Sequence, residues 1–106
     1  SGARDWVEAQ AGPDDRIVAL DLAADAFGRH YAPHFETAYT LTELEAAEAA
    51  AGHTWVLYTF GGYIRAREPD LWGRLEADYE EVEAFFGTLG GGAIVVRRTR
   101  DAGVRN

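Results

Sequence analysis

Three residue types are missing from this chain of 106 residues: cysteine, methionine and lysine. Without cysteine there is no disulfide, no thiolate nucleophile and no cysteine-based zinc site, and cysteine usage cannot reveal the redox compartment. Without methionine the chain lacks the residue that begins an open reading frame, and Ser1-Gly2 reads as a cloning remnant. We therefore expect a piece of a longer protein. Serine occurs only at position 1, so the usual nucleophile–histidine arrangements are missing too. No run of about 18 apolar residues occurs, and this piece is not expected to span a bilayer. Basic charge is scarce: 10 residues, all arginine, stand against 18 acidic ones, for a net charge of -8. Nucleic acids and anionic membrane surfaces need a cationic footprint, so neither is an expected partner.

What is present suits one globular domain. Hydrophobic residues make up 47% of the chain and aromatics 12%, enough to build a core. We place the domain at residues 3–98 and a flexible tail at 99–106. Its spine is His53 to Tyr63, HTWVLYTFGGY. Thr54 to Phe60 carries no charge and no strict alternation, the pattern of a strand buried on both faces. Gly61-Gly62 breaks it.

Other elements follow from local signals. Residues 4–11 suit a helix stopped by Gly12-Pro13. Arg16 to Leu20 reads as a buried strand closed by Asp21, and Ala23 to Tyr31 as a short helix. Phe35 to Tyr39 alternates as an outer strand does. Thr40-Leu41-Thr42-Glu43 fits a capping box, opening a helix with Leu41, Leu44, Ala47 and Ala51 on one stripe. Glu68-Pro69-Asp70 starts another helix, with Leu71, Trp72, Leu75 and Tyr79 as its apolar stripe. Glu81 to Phe86 and Ala93 to Arg98 are strands joined by GTLGGG, too short for a parallel crossover. Strands alternating with helices predict a three-layer, Rossmann-like α/β sheet of about five strands. The expected order is 2-1-3-4-5, with the last strand antiparallel.

In such a sheet ligands bind beyond the carboxyl ends of the strands, at the switch between strands 1 and 3. That places Asp21, Thr59, Gly61 and Gly62 as candidate ligand-binding residues. The simpler account of Asp21 is a cap for the helix at Ala23. GTLGGG precedes a strand, whereas a phosphate cradle needs a helix N-terminus after it, so a hairpin turn explains it better. His30 and His34 have metal-ligand spacing, but Pro33 breaks the helix that would present them. No metal, no cofactor and no catalytic residue is expected from these patterns.

One segment has a wider likeness. Trp55 to Arg98 contains the aromatic strand WVLYTF, then Tyr63 and Glu68-Pro69-Asp70-Leu71-Trp72, and ends in Phe86-Gly87-Thr88-Leu89-Gly90-Gly91-Gly92-Ala93-Ile94-Val95-Val96. It resembles the C-terminal end of bacterial polytopic membrane glycosyltransferases of the dolichyl-phosphate-mannose protein mannosyltransferase-like and aminoarabinose transferase-like superfamily. The resemblance implies a non-catalytic domain on the extracytoplasmic face of the cell membrane, following the last transmembrane helix. Its parent would transfer sugar from a polyprenyl-phosphate donor, using acidic residues in the membrane domain. The implied partners are the parent's own transmembrane domain and a glycan or protein acceptor. Where related chains carry proline or a basic residue after the strand, this one has Gly61-Gly62. Two other readings stand beside it: a free-standing ligand-binding or enzymatic domain with its crevice near Asp21 and Gly61, and an interaction module with an exposed aromatic patch.

Overall fold

A computed structural model describes residues 2–21, 23–24, 35–50, 52–88 and 92–101. The elements, in chain order, are α1 (Gly2–Gln10), β1 (Arg16–Leu20), β2 (Phe35–Ala38), α2 (Leu41–Glu48), β3 (Thr54–Tyr58), α3 (Gly61–Arg67), α4 (Pro69–Asp78), β4 (Tyr79–Thr88) and β5 (Gly92–Thr99). Most of the helix expected at Ala23 to Tyr31, with His30 and His34, lies outside the described residues. So do the middle of the GTLGGG turn and the tail from residue 102.

The five strands form one mixed sheet of order β2-β1-β3-β5-β4. β1 is parallel to both β2 and β3, and β5 is antiparallel to both β3 and β4. The α/β class, the 2-1-3 start and the reversed last strand are as expected. The last two positions are exchanged, because β5 inserts between β3 and β4. Composition explains the exchange. β5 offers Ile94 and Val96 to one core and Val95 to the other, as an inner strand must. β4 carries Glu80, Glu81 and Glu83, which favours the edge, where charged side chains also deter further pairing.

Alternation along the inner strands feeds two apolar layers. On one face Ile17, Ala19, Trp55, Leu57, Ile94 and Val96 meet Ala3 and Val7 of α1. On the other, Val18, Leu20, Val56 and Tyr58 meet Leu44 and Ala47 of α2, Ile64 of α3, and Leu71 and Leu75 of α4. All five residues of β3 are buried, as a central strand requires. α2 begins with the expected box: Glu43 N–H donates to Thr40 Oγ1 at 3.2 Å, and the Glu43 carboxylate reaches back to Tyr39 N–H at 2.6 Å. α4 begins at Pro69, whose missing N–H is no loss at the first turn. α3 was not expected, since Gly61-Gly62 reads as a break. Glycine is tolerated there because these are its first two positions, and Ile64 then anchors it with no exposure.

The ordered chain also continues past the expected domain edge. β5 runs to Thr99, Arg100 N–H donates to the Asp78 carbonyl at 3.0 Å, and Asp101 pairs with His53. Among the described residues no helix is long and apolar enough to cross a membrane.

Candidate functional site

The predicted crevice lies where β1 and β3 end. Ala19 pairs with Leu57, so two residues further on Asp21 stands level with Thr59. At both strand ends the backbone enters the left-handed region, with φ 51° at Asp21 and 53° at Phe60. Such conformations cost about 1–3 kcal/mol for a residue with a side chain, and they concentrate at functional sites. Asp21 N–H donates to the Ala38 carbonyl at 3.0 Å, and the Asp21 carbonyl accepts from Ala24 N–H at 2.9 Å. The Asp21 backbone thus satisfies Ala24 N–H, while most of the helix that its side chain is expected to cap lies outside the described residues. Thr59 is buried, and its hydroxyl has no hydrogen-bond partner among the described residues.

The two glycines have different roles. A Cβ on Gly61 would sit 2.8 Å from Trp72 Cη2 and 3.3 Å from Tyr58 Cε2, so the absent side chain is what lets Trp72 close over the strand end. Gly62 faces open space. The structure therefore places Asp21 and Thr59 level on adjacent strands, gives Gly61 a packing duty, and leaves open space where a Gly62 side chain would stand.

A second feature marks this end of the sheet. Tyr39 follows β2, Phe60 follows β3, Tyr63 lies in the first turn of α3, and Phe86 lies near the end of β4. β4 runs in the direction of β3, because both are antiparallel to β5. All four exposed large hydrophobic residues among those described therefore lie at one end of the sheet, spread from its β2 edge to its β4 edge, and Phe86 is 81% exposed. Arg67 stacks over the Tyr63 ring at 5.1 Å and donates to its hydroxyl.

The opposite end holds a polar cleft of about 440 Å³, lined by Glu48, His53, Arg74, Thr99, Arg100 and Asp101 among others. It exists because Trp55 pairs with Arg98, which sets Thr54 beside Thr99. Thr54 N–H donates to Thr99 Oγ1 at 3.0 Å, and His53 Nδ1 lies 3.2 Å from the same oxygen. His53 Nε2 lies 3.0 Å from Asp101 Oδ1. Behind His53, the Asp15 carboxylate accepts from His53 N–H, the Trp55 indole and Gly12 N–H, each at 2.8–2.9 Å. Burial would raise the Asp15 carboxyl, but these bonds, with the charge of His53, hold it below its ordinary value.

Arg74 closes the far wall, bound to Glu45, Glu48 and Asp78, and so ties α2 to α4. Tyr79 donates to Glu48 at 2.7 Å; burial and then that carboxylate push its hydroxyl far above the ordinary tyrosine value. No group of three or more potential metal-binding side chains occurs among the described residues.

Sequence reasoning missed this cleft. His53 and Thr99 are 46 positions apart, Thr99 and Asp101 fell in the expected tail, and no spacing rule links them. The strand register alone brings them together. Comparison with protein-family models, curated proteins and solved structures finds no match.

Proposed function

We propose that the chain is a non-catalytic extracytoplasmic domain of a membrane glycosyltransferase that draws on a polyprenyl-phosphate-linked sugar. In this reading the carboxyl end of the sheet is its working surface, set against the parent's membrane domain and the acceptor. The observation that carries the proposal is that Tyr39, Phe60, Tyr63 and Phe86 are all exposed along that end of the sheet. Scattered exposed aromatics are ordinary, but four at one end form a surface suited to a partner, because rigid rings add contact area at small entropic cost. Support also comes from the Trp55–Arg98 resemblance: that segment spans nearly all of β3 to β5 and supplies three of the four rings, Phe60, Tyr63 and Phe86. α1 begins at the same end, where a Cβ placed on Gly2 would lie 3.7 Å from the Phe85 ring. A preceding membrane segment would therefore enter on the aromatic side.

The test is made on the parent gene and its product. The gene is expected to encode several apolar spans of about 20 residues upstream of this domain. In the full-length enzyme, a Phe60→Ser, Tyr63→Ser, Phe86→Ser variant is expected to lose sugar transfer while the isolated domain keeps its fold. A parent without membrane spans refutes the reading.

One observation favours a second reading, a free-standing binding domain. Thr59 offers a buried hydroxyl with no partner among the described residues, next to Asp21, at the topological switch where α/β sheets hold ligands. A small polar molecule found by NMR screening to shift Thr59 and Asp21 selectively would support it. Shifts confined to the aromatic rings would count against it.

A further inference from the structure

We infer that the amino-end cleft is an acyl-ester hydrolase site, with Thr99 as nucleophile, His53 as general base and Asp101 as the residue that positions His53. This goes beyond the membrane-partner reading, in which the chain is non-catalytic with respect to sugar transfer, and does not depend on it.

The hydrogen-bond directions carry the argument. Asp101 can only accept, so in a neutral His53 the proton sits on Nε2, 3.0 Å from Asp101 Oδ1. Nδ1 is then an acceptor, and the Thr99 hydroxyl at 3.2 Å must donate to it. The Thr99 oxygen in turn accepts from Thr54 N–H at 3.0 Å, which holds it in place. Hydroxyl, imidazole and carboxylate are thus joined in the order and with the donor sense that nucleophilic acyl transfer uses. All three line one cleft, and its volume of about 440 Å³ suits a small ligand. Arg100 lines the same cleft and supplies the positive charge that a developing oxyanion would need. The other polar walls, Glu48, Arg74 and Asp78, suit an ester of a polar, hydroxyl-rich alcohol.

The step balances without a cofactor. Thr99 Oγ1 bonds to the ester carbonyl carbon as its proton passes to His53 Nδ1. The C–O bond to the alcohol then breaks, and His53 returns the proton to the leaving oxygen. Water, deprotonated by His53, attacks the acyl-threonine, releasing the carboxylic acid and restoring the hydroxyl. The sum is ester plus water to acid plus alcohol.

The test uses the purified chain with p-nitrophenyl acetate, and separately with a fluorophosphonate followed by mass spectrometry of the labelled peptide. Saturable hydrolysis is expected, falling at least tenfold in Thr99→Ala and in His53→Ala and persisting in Thr99→Ser. The fluorophosphonate is expected on Thr99. Asp101→Asn is expected to lower kcat with KM unchanged, which a merely structural loss would not produce. Thermal melts of each variant identify any that fail to fold, and Thr99→Ser then carries the comparison through its peptide label. Hydrolysis that survives Thr99→Ala but not His53→Ala assigns the activity to a bare imidazole and overturns the proposal. Absence of both turnover and label in the wild type overturns it equally.

Discussion

Gly61→Ala is expected to destabilise the domain, and Gly62→Ala to stabilise it, although the two glycines are adjacent on one helix. The new Cβ at residue 61 would lie 2.8 Å from Trp72 Cη2, where ordinary contact begins at 3.4 Å, so the ring must retreat by about 0.6 Å. Its retreat is opposed by the Tyr58 ring, edge-on with centroids 5.6 Å apart, and by Arg97, stacked at 5.5 Å from the Trp72 centroid. Arg97 is itself fixed to the Tyr58 hydroxyl at 2.9 Å and to the Leu75 carbonyl at 3.1 Å. Overpacking of this kind costs about 1–3 kcal/mol, offset in part by up to about 1 kcal/mol from the better helix propensity of alanine. At residue 62 only the propensity gain applies, because nothing lies within 4 Å. With a urea slope of about 1–3 kcal/mol/M, the two midpoints should separate by roughly 1 M in opposite senses from wild type. Urea titration followed by tryptophan fluorescence and far-UV circular dichroism reads this directly. A Trp72→Leu background should remove most of the penalty at residue 61, a coupling measurable by a double-mutant cycle. If Gly61→Ala proves as stable as Gly62→Ala, the account of Gly61 as a packing requirement is wrong.

Asp15→Asn should lose about 1–3 kcal/mol, the usual worth of hydrogen bonds to a charged group. Because the folded Asp15 value is lowered from 3.8, its contribution is present above that pH and disappears as pH falls toward the folded value. Wild type should therefore lose stability below about pH 4 more steeply than the variant in acid titrations. Tyr79 behaves in the opposite sense. Its raised value keeps the hydroxyl protonated in the fold, so that stability is present below pH 10.0 and declines as pH rises above it. Tyr79→Phe should flatten that alkaline decline in urea midpoints taken from pH 9 upward, and a decline of unchanged slope would contradict the assignment. Phe60→Gly should gain about 1 kcal/mol in thermal or urea unfolding, because glycine adopts the left-handed backbone without strain. Equal or lower stability would mean that the half-exposed ring contributes more than its backbone costs.

Strong local signals were legible without coordinates. The run from Thr54 to Phe60 read as a central strand, and its first five residues, Thr54–Tyr58, form one; the strand ends two residues early, and Phe60 turns out into solvent as the residue before α3. The Thr40–Glu43 box and Pro69 marked helix starts because caps act within one turn. That Asp21 and Thr59 both lie just beyond the ends of adjacent parallel strands followed from the class of sheet alone. The exchange of β4 and β5 was less visible: it depends on which strand can bury both faces, and a short hairpin permits either order. Gly61 and Gly62 looked equivalent, and only Trp72 packed against the first distinguishes them.

The chain order of apolar and polar residues was enough to specify an α/β sheet around one buried strand, because burial and capping are settled by near neighbours. Tertiary register was needed to set Thr99 and Asp101 against His53, and to gather Tyr39, Phe60, Tyr63 and Phe86 at one end. Both surfaces join residues tens of positions apart, and such residues meet only after every strand has chosen its partner and its phase.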